Sequence, residues 1–148
     1  MKITHIAVIA LVGSLALLTG CKEDKVAEKY HPAKLEDTAE KGISRVILEA
    51  RAAERIGLRT AQVREEQVRV GGDLVTRKVV PYGAIMYDTK GETWTFTNPS
   101  PLTFVRHRIV VEDVQGDQVI LAEGPAAGTA VVTVGAAELM GAEHKYGH

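Results

Sequence analysis

From residue 78 onward the chain is a succession of short apolar runs separated by turn residues, and this spacing restricts it to an all-β fold. Residues 92–97 alternate, with Trp94 and Phe96 on one face and Thr93, Thr95 and Thr97 on the other. Asn98-Pro99-Ser100-Pro101 interrupts the chain. Residues 102–112 then form a longer run in which Val105, Ile109 and Val111 share a parity. Residues 113–117 turn, Val119-Ile120-Leu121 returns, residues 124–128 turn again, and residues 129–134 supply β-branched positions. Short strands at such intervals predict a sandwich or a small barrel. Pro81, within the apolar stretch 78–87, places that stretch at a sheet edge or a strand start. Residues 136–140 fit one closing helical turn.

Upstream, residues 44–48 read as a strand with Val46 and Leu48 on one face. Leu48, Ala52 and Ile56 are then spaced four apart, and Gly57 stands where a helix end favours positive φ. This predicts a two-turn helix. In residues 60–70 the apolar parity changes: Ala61 and Val63 are odd, Val68 and Val70 even, with Glu65-Glu66 between. A shift of one residue turns a strand over, so a bulge or an edge position is expected near Glu65. Gly71-Gly72-Asp73 marks a turn.

The N-terminus has the anatomy of an export signal. Lys2 is a short positive region, residues 3–18 are mostly apolar, and Leu18-Thr19-Gly20-Cys21 follows, carrying the only cysteine in the chain. The tetrad resembles the lipobox of bacterial lipoproteins. That resemblance implies cleavage between Gly20 and Cys21 and a covalent diacylglycerol and acyl lipid on Cys21. It also explains the single thiol, which would be a liability in an oxidising compartment. One acyl chain holds weakly and two or more hold stably, so the mature chain is expected to stay on its membrane, on the periplasmic side of the envelope. Lys22 follows the lipidated position; the absence of Asp there resembles the pattern that sorts lipoproteins to the outer membrane, where the host has two membranes.

Residues 1–20 thus read as a signal peptide and residues 21–42 as a mobile, charged tether with His31-Pro32 and no sustained apolar period. Residues 43–141 read as one β domain, and residues 142–148 as a disordered tail. Charge is nearly balanced, with 18 Lys and Arg against 19 Asp and Glu, and no basic cluster is interleaved with aromatics, which argues against a nucleic-acid partner. Apart from Ser14 in the signal, the serines are Ser44 and Ser100, neither in a nucleophile-elbow context. No H-E-x-x-H, C-x-x-C or phosphate-cradling glycine loop is present. The expectation is no catalytic residue, no enzyme and no cofactor beyond the lipid.

Several segments together resemble the periplasmic adaptor subunits, or membrane fusion proteins, of RND-type efflux pumps. Val79-Val80-Pro81-Tyr82-Gly83-Ala84-Ile85 is similar to the entry strand of the adaptors' membrane-proximal domain, and Glu92-Thr93-Trp94-Thr95-Phe96 to the strand after it. Phe104-Val105-Arg106-His107-Arg108-Ile109-Val110-Val111 resembles a further strand. Gly124, Gly128, Val131, Val132, Gly135 and Leu139 fall on the glycine-and-valine pattern that ends these proteins, although Pro125, Thr129 and Ala130 depart from it. Val46-Ile47-Leu48 and Ile56-Gly57-Leu58-Arg59-Thr60-Ala61-Gln62-Val63 resemble the opening strand and helix. Between these halves a full adaptor carries lipoyl, hairpin and barrel insertions, which here are replaced by the stretch from Gly71 to Arg77.

The resemblance implies an isolated membrane-proximal-like domain that works beside an efflux system, contacting transporter or adaptor proteins and, through its anchor, the lipid membrane. A different class of function is a periplasmic lipoprotein that binds a small ligand or a metal. Its weak candidate ligands are His144, His148 and Met140, since imidazole and thioether suit copper or zinc; a frayed polar tail is the plainer account of the two histidines. Trp94 and Phe96 read as core anchors. Arg106, His107 and Arg108 read as a solvated strand face.

Overall fold

The computed structural model describes residues 30–146. Cys21, Gly20 and His148 lie outside these residues. Among the described residues the chain forms eleven strands and two α-helices. They build a two-sheet sandwich that does not close into a barrel.

The larger sheet contains β1 (Ala33–Asp37), β2 (Ser44–Leu48), β8 (Thr103–Arg108), β7 (Thr93–Ser100), β11 (Ala130–Val134) and β3 (Arg59–Gln62) in that spatial order, with β6 (Met86–Tyr87) beside β7. The smaller sheet runs β4 (Arg64–Val70), β5 (Asp73–Pro81), β10 (Gln118–Glu123), β9 (Val110–Gln115). Every pairing in both sheets is antiparallel.

Two residues carry the chain from one sheet to the other. Val63 stands between β3 and β4, and Ile109 between β8 and β9; both are buried in the core between the sheets. Bends of this kind make the corners of a sandwich. The parity change expected near Glu65 therefore has a different cause. No bulge is needed, because the strand changes sheets at Val63, after which β4 pairs with β5 in continuous register from Arg64↔Val79 to Val70↔Asp73. The expectation of an edge holds for β4, the outer strand of its sheet. Gly71 and Gly72, at φ 61° and 100°, close that hairpin in two residues with a turn that side chains rarely adopt.

Val131 and Val132 show why residues 129–134 read as a continuous apolar run. Val131 packs with Val63, Val80, Val119 and Leu121 between the sheets, whereas Val132 packs with Phe96, Phe104 and Leu139 on the opposite face. Two helices cover that second face. In α1 (Ala50–Arg55), Ala52 and Ala53 point inward, and Gly57 at φ 63° ends the turn as its position predicts. In α2 (Ala136–Tyr146), Ala136 and Leu139 are the inward residues of the first half.

Several expectations are corrected. Residues 33–37, assigned to the tether, form β1, paired residue for residue with β2 from Ala33↔Leu48 to Asp37↔Ser44. The isolated segment is too polar to advertise itself, but Ala33 and Leu35 find a ready-made apolar partner face. The disordered tail is likewise displaced: helix α2 runs to Tyr146 and so includes residues 142–146, well beyond the single turn expected at 136–140. Pro81 does not start a strand; it ends β5, the central strand between β4 and β10. Residues 98–100 remain in β7, since the Asn98 side-chain amide donates to the Ser100 and Thr103 carbonyls at 2.7 and 2.9 Å and bridges the irregularity. Within β8 the buried residue is Phe104, on the helix-covered face. Val105 pairs with Thr97, which pairs with Val131, so it shares the inter-sheet face with Ile109 and Val111 as its parity predicts but is only half-buried there.

Candidate functional site

The charged side chains that depart most from a solvated surface, Arg106 and Glu143, meet where α2 packs on the larger sheet. Arg106, on β8, points to the helix-covered face with Phe104 and not to water. Its side chain is 10% exposed and that of its partner Glu143, on α2, is 5% exposed. Arg106 Nη2 donates to the Gly42 carbonyl at 2.9 Å and to Glu143 Oε1 at 3.3 Å. Arg106 Nε and Glu143 Oε2 are 3.1 Å apart but poorly aligned for a hydrogen bond, so that contact is coulombic. Glu143 Oε1 also accepts from the Ser44 amide at 3.0 Å. The guanidinium carbon stands 4.4 Å from the centroid of the Trp94 ring, a cation–π distance.

The chain of contacts continues past the ring. Trp94 Nε1 donates to Asp88 Oδ2 at 3.2 Å, and the Lys90 and Glu92 amides donate to Asp88 Oδ1 at 2.8 and 2.9 Å. Burial raises the Asp88 pKa, but the Glu92 and Lys90 amides and the Trp94 indole outweigh it and hold the carboxyl below its usual range. An acceptor so fully engaged stays ionised and is a poor proton donor near neutrality. The network thus fixes the loop at residues 88–92, the ring of Trp94, the β1–β2 loop and α2 relative to one another. Its chemistry is positioning.

The sequence-predicted residues are placed as follows. Arg106 is not on a solvated face; α2 covers it. His107 and Arg108 are exposed, and Arg108 pairs with Glu92 at 2.8 Å. Trp94 and Phe96 are buried, as expected of core anchors. His144 is exposed, its Nδ1 2.8 Å from the Met140 carbonyl one turn earlier, while the Met140 side chain packs toward the core. Among the described residues no group of three or more His, Cys, Asp or Glu side chains could hold a metal ion. Glu143 and Asp88 escaped sequence reasoning. Glu143 carried a faint signal, since it lies four residues after Leu139 and seven after Ala136, on the inward stripe of a helix.

Elsewhere the surface offers open shallow features. Tyr82 and Tyr87, whose placement the sequence left open, are both more than half exposed. Tyr87 borders a depression of about 370 Å³ between β6 and the start of α2, lined also by Ile85, Met86, Thr133 and Ala137. Val110 and Val114 are exposed on β9, an edge strand.

Comparison with known proteins finds no matching family model and no matching curated protein. No helix among the described residues is long and apolar enough to cross a membrane.

Proposed function

We propose that this chain is a non-enzymatic lipoprotein of the bacterial envelope, anchored at Cys21 and acting as an accessory component that docks to proteins of an RND-type efflux system. One observation supports this reading above the others. Segments from either side of Gly71-Gly72 interleave in both sheets: β2 lies beside β8, β3 beside β11, and β4 beside β5. A domain that tolerates a long insertion must bring the two ends of that insertion together. Here the corresponding point is a two-residue hairpin tip on a complete core.

The position of β1 sharpens the picture. With Ala33 already in the sheet, the stretch from Cys21 to the folded domain reaches at most about 40 Å when fully extended. A docking partner must then lie in, or come close against, the membrane that carries the anchor.

The test is recovery of the lipidated protein from detergent-solubilised envelopes at low salt. Co-recovery of a transporter, adaptor or channel component is the expected result; its absence would sink the docking reading. Cys21→Ala tests the anchor separately, and should move the protein from the membrane fraction to the soluble one.

A further inference from the structure

Helix α2 is held down unevenly. Among its described side chains, Leu139 is the one large apolar group that is fully buried, and the other inward apolar residues are small (Ala136, Ala142) or only partly covered (Met140). Gly141 interrupts the helix at a cost of about 1 kcal/mol relative to alanine, and an isolated helix of this length is marginal in water. Beyond Leu139, the buried side chain is a carboxylate. Its partners belong to distant parts of the chain, namely the Arg106 guanidinium on β8 and the Ser44 amide at the start of β2. Arg106 in turn holds the Gly42 carbonyl.

We propose that Glu143 is a latch, and that the C-terminal half of α2 and the β1–β2 loop (residues 38–43) dock and release as one unit. The reason is the sharing of partners. If the helix lifts, Arg106 keeps a charge near Trp94 without its carboxylate, and the Ser44 amide loses its acceptor. If the loop lifts, Arg106 loses the Gly42 carbonyl that helps hold its guanidinium against Glu143. Each half is worth more in the presence of the other, which is the definition of coupling between two sites. The loop has local support of its own: the Thr38 hydroxyl donates to the Ile43 carbonyl at 2.6 Å, and Ile43 is buried. It can therefore move as a closed piece. Opening would uncover Arg106 while leaving the core between the two sheets untouched, since neither element contributes to it.

Hydrogen–deuterium exchange on the full chain tests this, comparing the wild type with Glu143→Gln, Glu143→Ala and, as a control on the exposed side of the same helix, Glu138→Gln. In both Glu143 variants, peptides covering residues 38–44 and residues 142–146 should exchange about ten- to a hundredfold faster, together. Strands β5 and β10 should keep their protection, and Glu138→Gln should change neither segment. Acceleration of the helix alone, with residues 38–44 unchanged, would overturn the coupling. So would a uniform rise that includes β10, which would make Glu143 a general stabiliser. Should Glu143→Ala fail to fold, the near-isosteric Glu143→Gln carries the test alone, and unchanged exchange in both segments would reject the latch.

Discussion

At the scale of single residues, the burial of Arg106 is tolerable because three groups answer its charge, although its Nε makes no aligned hydrogen bond. A guanidinium taken out of water without partners costs several kcal/mol, yet Arg106 meets a carboxylate, a carbonyl and an aromatic face. Thr95 is the contrasting case. It is fully buried, and its hydroxyl has no partner. An unpaired buried hydroxyl costs about 1–3 kcal/mol, and valine keeps the β-branched shape. Thr95→Val is therefore expected to raise stability by roughly 1 kcal/mol, read as a higher midpoint in urea unfolding. Asp88 yields a prediction in pH. Its carboxyl in the fold lies below the ordinary aspartate value of 3.8, so its contribution is fully present above that value. That contribution is lost as pH falls through the lower, folded value. Acid unfolding followed by near-UV circular dichroism should show this loss in the wild type and a smaller pH dependence in Asp88→Asn. The inward turn of Arg106 was illegible in sequence because Arg106-His107-Arg108 presents polar side chains at both parities. Only the presence of α2 over one face distinguishes them.

At the scale of elements, legibility followed how much of each element's stability was local. Strand β2 and helix α1 were readable because their apolar spacing and the glycine at 57 agree with the fold. Strand β1, with Lys34, Glu36 and Asp37 in five residues, has no such signature and exists through its pairing with β2. The second half of α2 depends on Arg106 in the same way. The 3-10 turn at Tyr82–Ala84 depends on a close approach: a Cβ on Gly83 would stand 2.9 Å from the Thr133 carbonyl oxygen. That atom is backbone and cannot swing aside. Gly83→Ala should therefore cost about 1–3 kcal/mol in chemical denaturation, in line with other overpacked contacts.

At the scale of the whole molecule, the two sheets are tied by the chain itself at Val63 and Ile109, so neither sheet can separate without unfolding a corner. The Gly71-Gly72 tip is different. It projects from the hairpin of an edge strand, and a Cβ added at either glycine meets nothing within 4 Å. Ten Gly/Ser residues inserted there should reduce stability by only about 1–2 kcal/mol, the logarithmic cost of a longer loop. The same insertion after Val63 should abolish cooperative unfolding, because it uncouples β3 from β4 at a buried corner. Thermal melts of the two insertion variants would check both outcomes, and equal damage from the two insertions would contradict the architecture.

The amino-acid sequence alone determined the all-β class, the turn at Gly71-Gly72 and the strands at 44–48 and 92–97, since these rest on near-neighbour periodicity and on backbone conformations that glycine permits. The tertiary structure alone decided where the chain changes sheets, that residues 33–37 form a strand, and that Arg106 faces Glu143 and not solvent. Those outcomes depend on partners tens of residues away. No local pattern encodes a contact whose free energy exists only once both partners have been brought out of water together.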